Sequence, residues 1–107
     1  MKPIVDEIAK NLRDSLKEAI SDFEGLYVFG SQVRGDAKEG SDIDIVVLFA
    51  NAKAMESSEY YRIISKIMYD YYGNDLDTQR YTREELGLNP SFYNEVVNKG
   101  VFYAAAA

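Results

Sequence analysis

Two aspartates, Asp42 and Asp44, open a run that is otherwise aliphatic and aromatic, Asp42-Ile43-Asp44-Ile45-Val46-Val47-Leu48-Phe49. Side chains alternate between the two faces of an extended strand. Asp42 and Asp44 therefore share one face, and Ile43 and Ile45 share the other. A fold built on this strand must hold two like charges side by side at the edge of its core. At about 4 Å their repulsion is roughly 4 kcal/mol at an effective dielectric of about 20. A cation relieves it, and ligands that are all oxygen select a hard ion, Mg²⁺ or Mn²⁺, which readily shares its shell with phosphates.

The residues just upstream suit such a partner. Gly25-Leu26-Tyr27-Val28-Phe29 is apolar and β-prone, with glycine at its start and Gly30 after it, and reads as a short buried strand. The chain then turns at Gly30-Ser31 and can run helically through Val33 and Arg34. This would aim free backbone N–H groups, a positive helix end and the Ser31 hydroxyl at one spot, fit for an anion such as a triphosphate. A polar loop, Asp36 to Ser41, leads into the acidic strand. A phosphate turn beside a Mg²⁺-holding pair points to phosphoryl or nucleotidyl transfer.

Gly30-Ser31-x-x-Arg34-Gly35, then Ser41-Asp42-x-Asp44 after five further residues, resembles the signature of the DNA polymerase β-type nucleotidyltransferase superfamily. More narrowly, the chain is similar to the minimal nucleotidyltransferases, the antitoxin partners of HEPN-domain toxins. The resemblance extends over nearly the whole chain, and its specific part is Gly30 to Asp44. It implies an α/β (α+β) fold, with a small mixed sheet of three or more strands and helices packed on it.

Composition sets the outer bounds. The 107 residues leave room for one domain with a modest core. Residues 1–103 are expected to form it, while Ala104 to Ala107 match nothing upstream and read as a candidate cloning remnant. A hydrophobic content of 47% is that of a globular chain. No apolar run approaches the ~20 residues of a membrane span, and the N-terminus reads as an amphipathic helix instead of a signal peptide. Without cysteine there are no disulfides or thiolate metal sites, which is compatible with a cytoplasmic chain. Without histidine, carboxylates are left to do acid–base work. A net charge of −6 and the lack of a basic stripe disfavour direct binding to nucleic acid.

Val5, Ile8, Ala9, Leu12, Leu16, Ile20 and Phe23 recur at helical spacing and predict a long amphipathic helix over Pro3–Phe23. A second helix is expected over Glu56–Tyr72, with Tyr60, Ile63, Ile64, Ile67, Met68 and Tyr71 inward and Gly73-Asn74 as its stop. Asp75 to Tyr81 reads as a third strand. Thr82 with Glu85 is a capping box, and Phe92–Asn98 a last helix closed by Lys99-Gly100. Tyr61, Ser65, Tyr69 and Tyr72 form a separate stripe on the second helix, either packed under the C-terminal helix or facing a partner.

The family's metal site has three carboxylates, the last on the strand after the second helix. Asp75 and Asp77 both qualify, and the apolar residue before the acid favours Asp77, although Thr78-Gln79-Arg80 is more polar than the aliphatic run usual there. The resemblance thus implies Asp42, Asp44 and Asp77 as catalytic metal ligands for two Mg²⁺ ions, which clamp the attacking and leaving oxygens of an in-line displacement. Asp77 would also accept the acceptor's proton. Gly30 and Ser31 would grip the phosphates of ATP. Arg34 would either contact phosphate or pair with a carboxylate to hold the turn, and Gly35 suits a positive φ. The expected partner is an all-helical HEPN toxin, in a hetero-oligomer, adenylylated on tyrosine. The alternatives are an inhibitory subunit that neutralises its toxin by contact, and a transferase for a small acceptor.

Overall fold

The computed structural model describes residues 1–106. Its framework is a four-stranded mixed sheet, in the order β3-β2-β1-β4, with helices on both faces. The elements run α1 (Pro3–Ala19), β1 (Phe23–Phe29), α2 (Ser31–Arg34), β2 (Ile43–Phe49), a 3₁₀ turn (Ala54–Glu56), α3 (Ser58–Asp70), β3 (Leu76–Tyr81), α4 (Arg83–Gly87), α5 (Pro90–Tyr93) and β4 (Val101–Ala104). Between α5 and β4 the helix widens into a π turn, Asn94–Asn98.

The two central strands, β1 and β2, are antiparallel and buried over most of their length, as their nearly unbroken apolar sequences require. β3 lies parallel to β2, and α3 supplies the crossover that a parallel pair needs. On one face, α1 and α3 bury Ile8, Leu12, Leu16, Ile63 and Ile67 against Val28, Ile43, Ile45 and Val47. On the other face a smaller cluster joins Tyr27, Phe29, Val46 and Leu48 to Leu86 and Val96 from the C-terminal turns. Every apolar position expected on the inner side of the first helix is buried, and so is Phe23.

Several boundaries differ from expectation. α1 ends at Ala19. Ile20 is extended, with φ −129° and ψ 107°, and Phe23 opens β1 opposite Phe49. Phe23 falls at helical spacing only because a buried strand start follows the helix closely. The second helix is trimmed to Ser58–Asp70. The last begins earlier, at Pro90, whose missing N–H costs nothing there and whose neighbour Asn89 caps Phe92 N at 3.1 Å. The capping box at Thr82 and Glu85 forms as expected. β4 was not foreseen. Its brief stretch acquires strand geometry by pairing with β1, from Val101 opposite Val28 to Ala104 opposite Gly25. Ala105 N also donates to Glu24 O at 3.1 Å, so the paired backbone continues past residue 103. Backbone pairing needs no particular side chain, so alanines serve. Gly25, at φ +147°, lies beneath the Phe102 ring, where any Cβ would come within 2.7 Å of it.

The polar run in β3 has a structural reason. β3 is an edge strand whose side chains are half-buried or exposed, so it needs few aliphatics. Arg80 reaches back over the rings of Tyr60 and Tyr61, 4.8 and 5.0 Å from their centres, and donates to the Tyr61 hydroxyl and the Met55 carbonyl. The tyrosine stripe of α3 does not pack under the C-terminal helices, which lie across the sheet from it. Tyr61, Tyr69 and Tyr72 are 60, 83 and 93% exposed.

These burials make an explicit contrast. Ile45→Ala, at a fully buried central-strand position, is expected to lose about 2–5 kcal/mol in urea unfolding. Tyr72→Ala should stay within about 0.5 kcal/mol of wild type.

Candidate active site

The acids gather on the sheet face that carries the smaller cluster, at the end where β1 stops and β2 and β3 begin. Asp44 stands opposite Phe29 of β1 on one side and Asp77 of β3 on the other, so Phe29, Asp44 and Asp77 form one row across three strands. Asp42 precedes β2 and is exposed, Asp44 is half-buried, and Asp77 is exposed. Asp75 lies before β3 begins, and its carbonyl accepts from Ile43 N at 2.9 Å. The register therefore sets Asp77, and not Asp75, beside Asp44.

Burial is the main reason that Asp44 holds its proton more tightly than an ordinary carboxyl. The negative charges of Asp77 and Asp42 add to the effect, and Arg34 partly offsets it. Among the described residues no three acids are drawn together closely enough to cage an ion. The donor chemistry nonetheless suits a hard divalent cation: Asp44 and Asp77 pair on adjacent strands with Asp42 just before the first, all offer oxygen, and the most buried of them is destabilised by its neighbours' charge.

The turn before the acids is shaped around Asp44. Gly30 caps α2 with φ 77° and ψ −148°, and a Cβ at this position would lie 2.5 Å from Asp44 Oδ2. Only glycine allows both the backbone angle and the approach. From Gly30 the chain makes a single helical turn, in which Val33 N and Arg34 N donate to Gly30 O at 3.1 and 3.0 Å. The first N–H groups of such a turn have no partner within it, and half-buried Ser31 opens it. Gly35 closes the turn at φ 84°, the left-handed conformation expected there.

Arg34 is half-exposed, and its guanidinium pairs with Glu95 of the π turn at 2.9 Å and with Asp36 at 3.4 Å. Of the two roles open for it, the structure displays the carboxylate-paired one. Two contributors were not singled out from sequence. Glu95 has no spacing relation to the motif, so only the fold brings it to Arg34. Gln32 is buried between the turn and the acidic strand, with its side-chain Nε2 3.3 Å from Ser41 O and 3.5 Å from Asp42 O. A lone glutamine between Ser31 and Arg34 matches no pattern that carries chemistry, so it gives no signal of its own.

Two outcomes follow. Because the fold raises the Asp44 pKa, the associated stability is fully present below the unfolded value of 3.8 and is lost as pH rises through the folded value. Asp44→Asn should therefore melt higher than wild type at pH 7 in EDTA, and the gain should vanish below about pH 4, as read by calorimetry. Gly30→Ala should lose about 1–3 kcal/mol in urea unfolding from its backbone angle alone.

A toxin–antitoxin crystallised with AMP-PNP superposes with a TM-score of 0.61 at 26% identity, over 92% of this chain and 70% of that one. A mutant of the toxin–antitoxin MntA-HpeT matches with the same TM-score at 23% identity, over 92% and 70% of the two chains. A chain designated a minimal nucleotidyltransferase aligns at 0.58 and 22% identity, over 91% of this chain and 93% of that one. The last two show likeness of fold. No curated protein sequence matches. A nucleotidyltransferase domain model matches residues 9–103, and this chain belongs to the nucleotidyltransferase-domain family.

Proposed function

We propose that the chain transfers AMP from ATP to a hydroxyl, that of a tyrosine, on a partner HEPN toxin, and so acts as an antitoxin. The observation that carries this is the row of Asp44 and Asp77, with Asp42 before it, abutting a turn that only Gly30 can make. The likeness to a toxin–antitoxin crystallised with AMP-PNP supports both the donor and the kind of partner.

Asp42, Asp44 and Asp77 would hold Mg²⁺, which when bound neutralises phosphate charge and lowers the barrier at the α-phosphorus. The chain's own groups account for the rest. The N–H groups at Ser31 and Gln32, with the Ser31 hydroxyl, receive the terminal phosphates. Arg34 must exchange its carboxylate partners for phosphate if it is to join them, and the ion pairs it would leave are largely solvated, hence weak. Asp77, the exposed member of the row, takes the proton from the acceptor hydroxyl. The oxygen bonds to the α-phosphorus as the bond to pyrophosphate breaks, leaving AMP on the acceptor. The acidic chain also steers a basic partner towards itself, an effect that weakens as salt rises.

One observation favours neutralisation by contact as a second reading. Tyr61 and Tyr69 of α3, with Tyr72 in the turn after it, present exposed aromatic surface on the opposite side of the sheet from the acids. The two readings separate in one experiment. Purified chain, Mg-ATP and the product of the neighbouring gene are incubated together, and that product is weighed by mass spectrometry. One or more added AMP units are expected, and Asp42→Asn or Asp77→Asn should slow their addition by about a hundredfold or more, as for loss of roughly 2.7 kcal/mol of transition-state stabilisation. Neutralisation without a mass change would support the contact reading instead.

A further inference from the structure

Among the described residues, Gln32 is the one polar side chain within the buried set, at 6% exposure. It sits on α2, the turn that would receive phosphates, yet its side chain points away from solvent. A leucine or methionine would fill similar space. Burying an amide is unfavourable unless its donors and acceptors are met, and Gln32 meets its donor requirement at one place, the Ser41 and Asp42 carbonyls.

That place is where the acidic strand most needs support. Asp42 lies outside the β2 ladder, which starts at Ile43. The loop before it is exposed at Asp36 and from Lys38 to Gly40, and a Cβ at Gly35 or Gly40 would meet nothing within 4 Å. The loop's own bonds join Lys38 and Ser41 to each other and do not reach the sheet. Asp44 is located by the ladder and by the close approach of Gly30. Among the described residues, Asp42 is held by its chain neighbours Ser41 and Ile43 and by the Gln32 amide at its carbonyl.

We infer that Gln32 is a positioning residue: its amide couples the phosphate turn to Asp42, setting the distance between the nucleotide's phosphates and the ion-holding acids. The inference rests on the reading of Asp42, Asp44 and Asp77 as those acids. Groups that orient metal ligands from behind typically change ion affinity 10–100-fold when lost. Through this link, a phosphate settling in the turn moves or restrains Asp42, and an ion at the acids restrains the turn.

The test reads ion binding and not turnover. Mn²⁺ is titrated into the free protein and followed by electron paramagnetic resonance, for wild type, Gln32→Met, Asp42→Asn and the double variant. Gln32→Met keeps the length and bulk of the side chain and removes its donors. It should bind Mn²⁺ about tenfold more weakly while its melting temperature falls only a few degrees. The double variant should bind no more weakly than Asp42→Asn, since Gln32 acts through Asp42. Unchanged affinity in a folded Gln32→Met, or additive losses in the double variant, would overturn the inference and leave the metal site standing. Wild type that binds no Mn²⁺ would overturn both. Should Gln32→Met not fold, the Gln32 side-chain NH₂ resonance of the wild type decides. It should shift when Mg²⁺ is added and stay still in Asp42→Asn; a resonance unmoved in wild type refutes the coupling.

Discussion

Asp44 is where the competing demands on this fold meet. Its backbone is a rung of the central strand, bonded between β1 and β3, and its carboxylate is half-buried beside two other acids. Repulsion among the three works against folding. The burial of Ile43, Ile45, Val46, Val47, Leu48 and Phe49 along the same strand works for it. Each such side chain contributes on the order of 1.5–3 kcal/mol on burial, so together they exceed the few kcal/mol of a partly solvated like-charge contact. The hydrophobic strand can therefore carry a charge pair that a polar strand could not, and stability is given up locally where a cation and phosphates are to be bound.

The rest of the molecule follows from keeping that strand in place. Antiparallel pairing with β1 brings Gly30 to the end of the strand beside Asp44, and the missing Cβ lets the turn close against the carboxylate. The α3 crossover returns β3 parallel to β2, with Asp77 in the same row. The C-terminal turns cover the far part of the same face through Leu86, Phe92 and Val96, and leave the acidic end open. Their π turn also supplies Glu95, which pairs with Arg34. An arginine paired in this way is kept charged and close, through contacts weak enough to yield to phosphate.

The aromatic side chains divide into two sets with different physical roles. Phe23, Phe49 and Tyr60 meet edge to face within the main core, and on the other face Phe92 meets Phe29 edge to face and Tyr81 at a tilt. Tyr61 and Tyr69 of α3, and Tyr72 just after it, are largely exposed. Periodicity distinguished the two stripes of that helix, because positions three and four apart share a face. It carried no information on what, if anything, covers the outer stripe.

Local chemistry made part of this protein legible from sequence alone. Strand alternation placed Asp42 and Asp44 on one face. The 3.6-residue period identified the buried side of α1, and the Thr82–Glu85 capping box and the glycine-bounded turn announced themselves by residue type. All of these depend on interactions between residues near one another in the chain. What tertiary structure decided depends on residues far apart. The residue before the acid favours Asp77 over Asp75, but only the backbone register makes Asp77 the neighbour of Asp44. β4 exists only because β1 offers it an open edge, and Phe23 belongs to a strand because Phe49 stands opposite. Glu95 reaches Arg34, 61 residues away, and Gln32 is polar for the sake of two carbonyls across a loop. Periodicity and propensity report which face of an element is apolar; which strand lies beside which is set by packing and backbone pairing between segments that share no local signal.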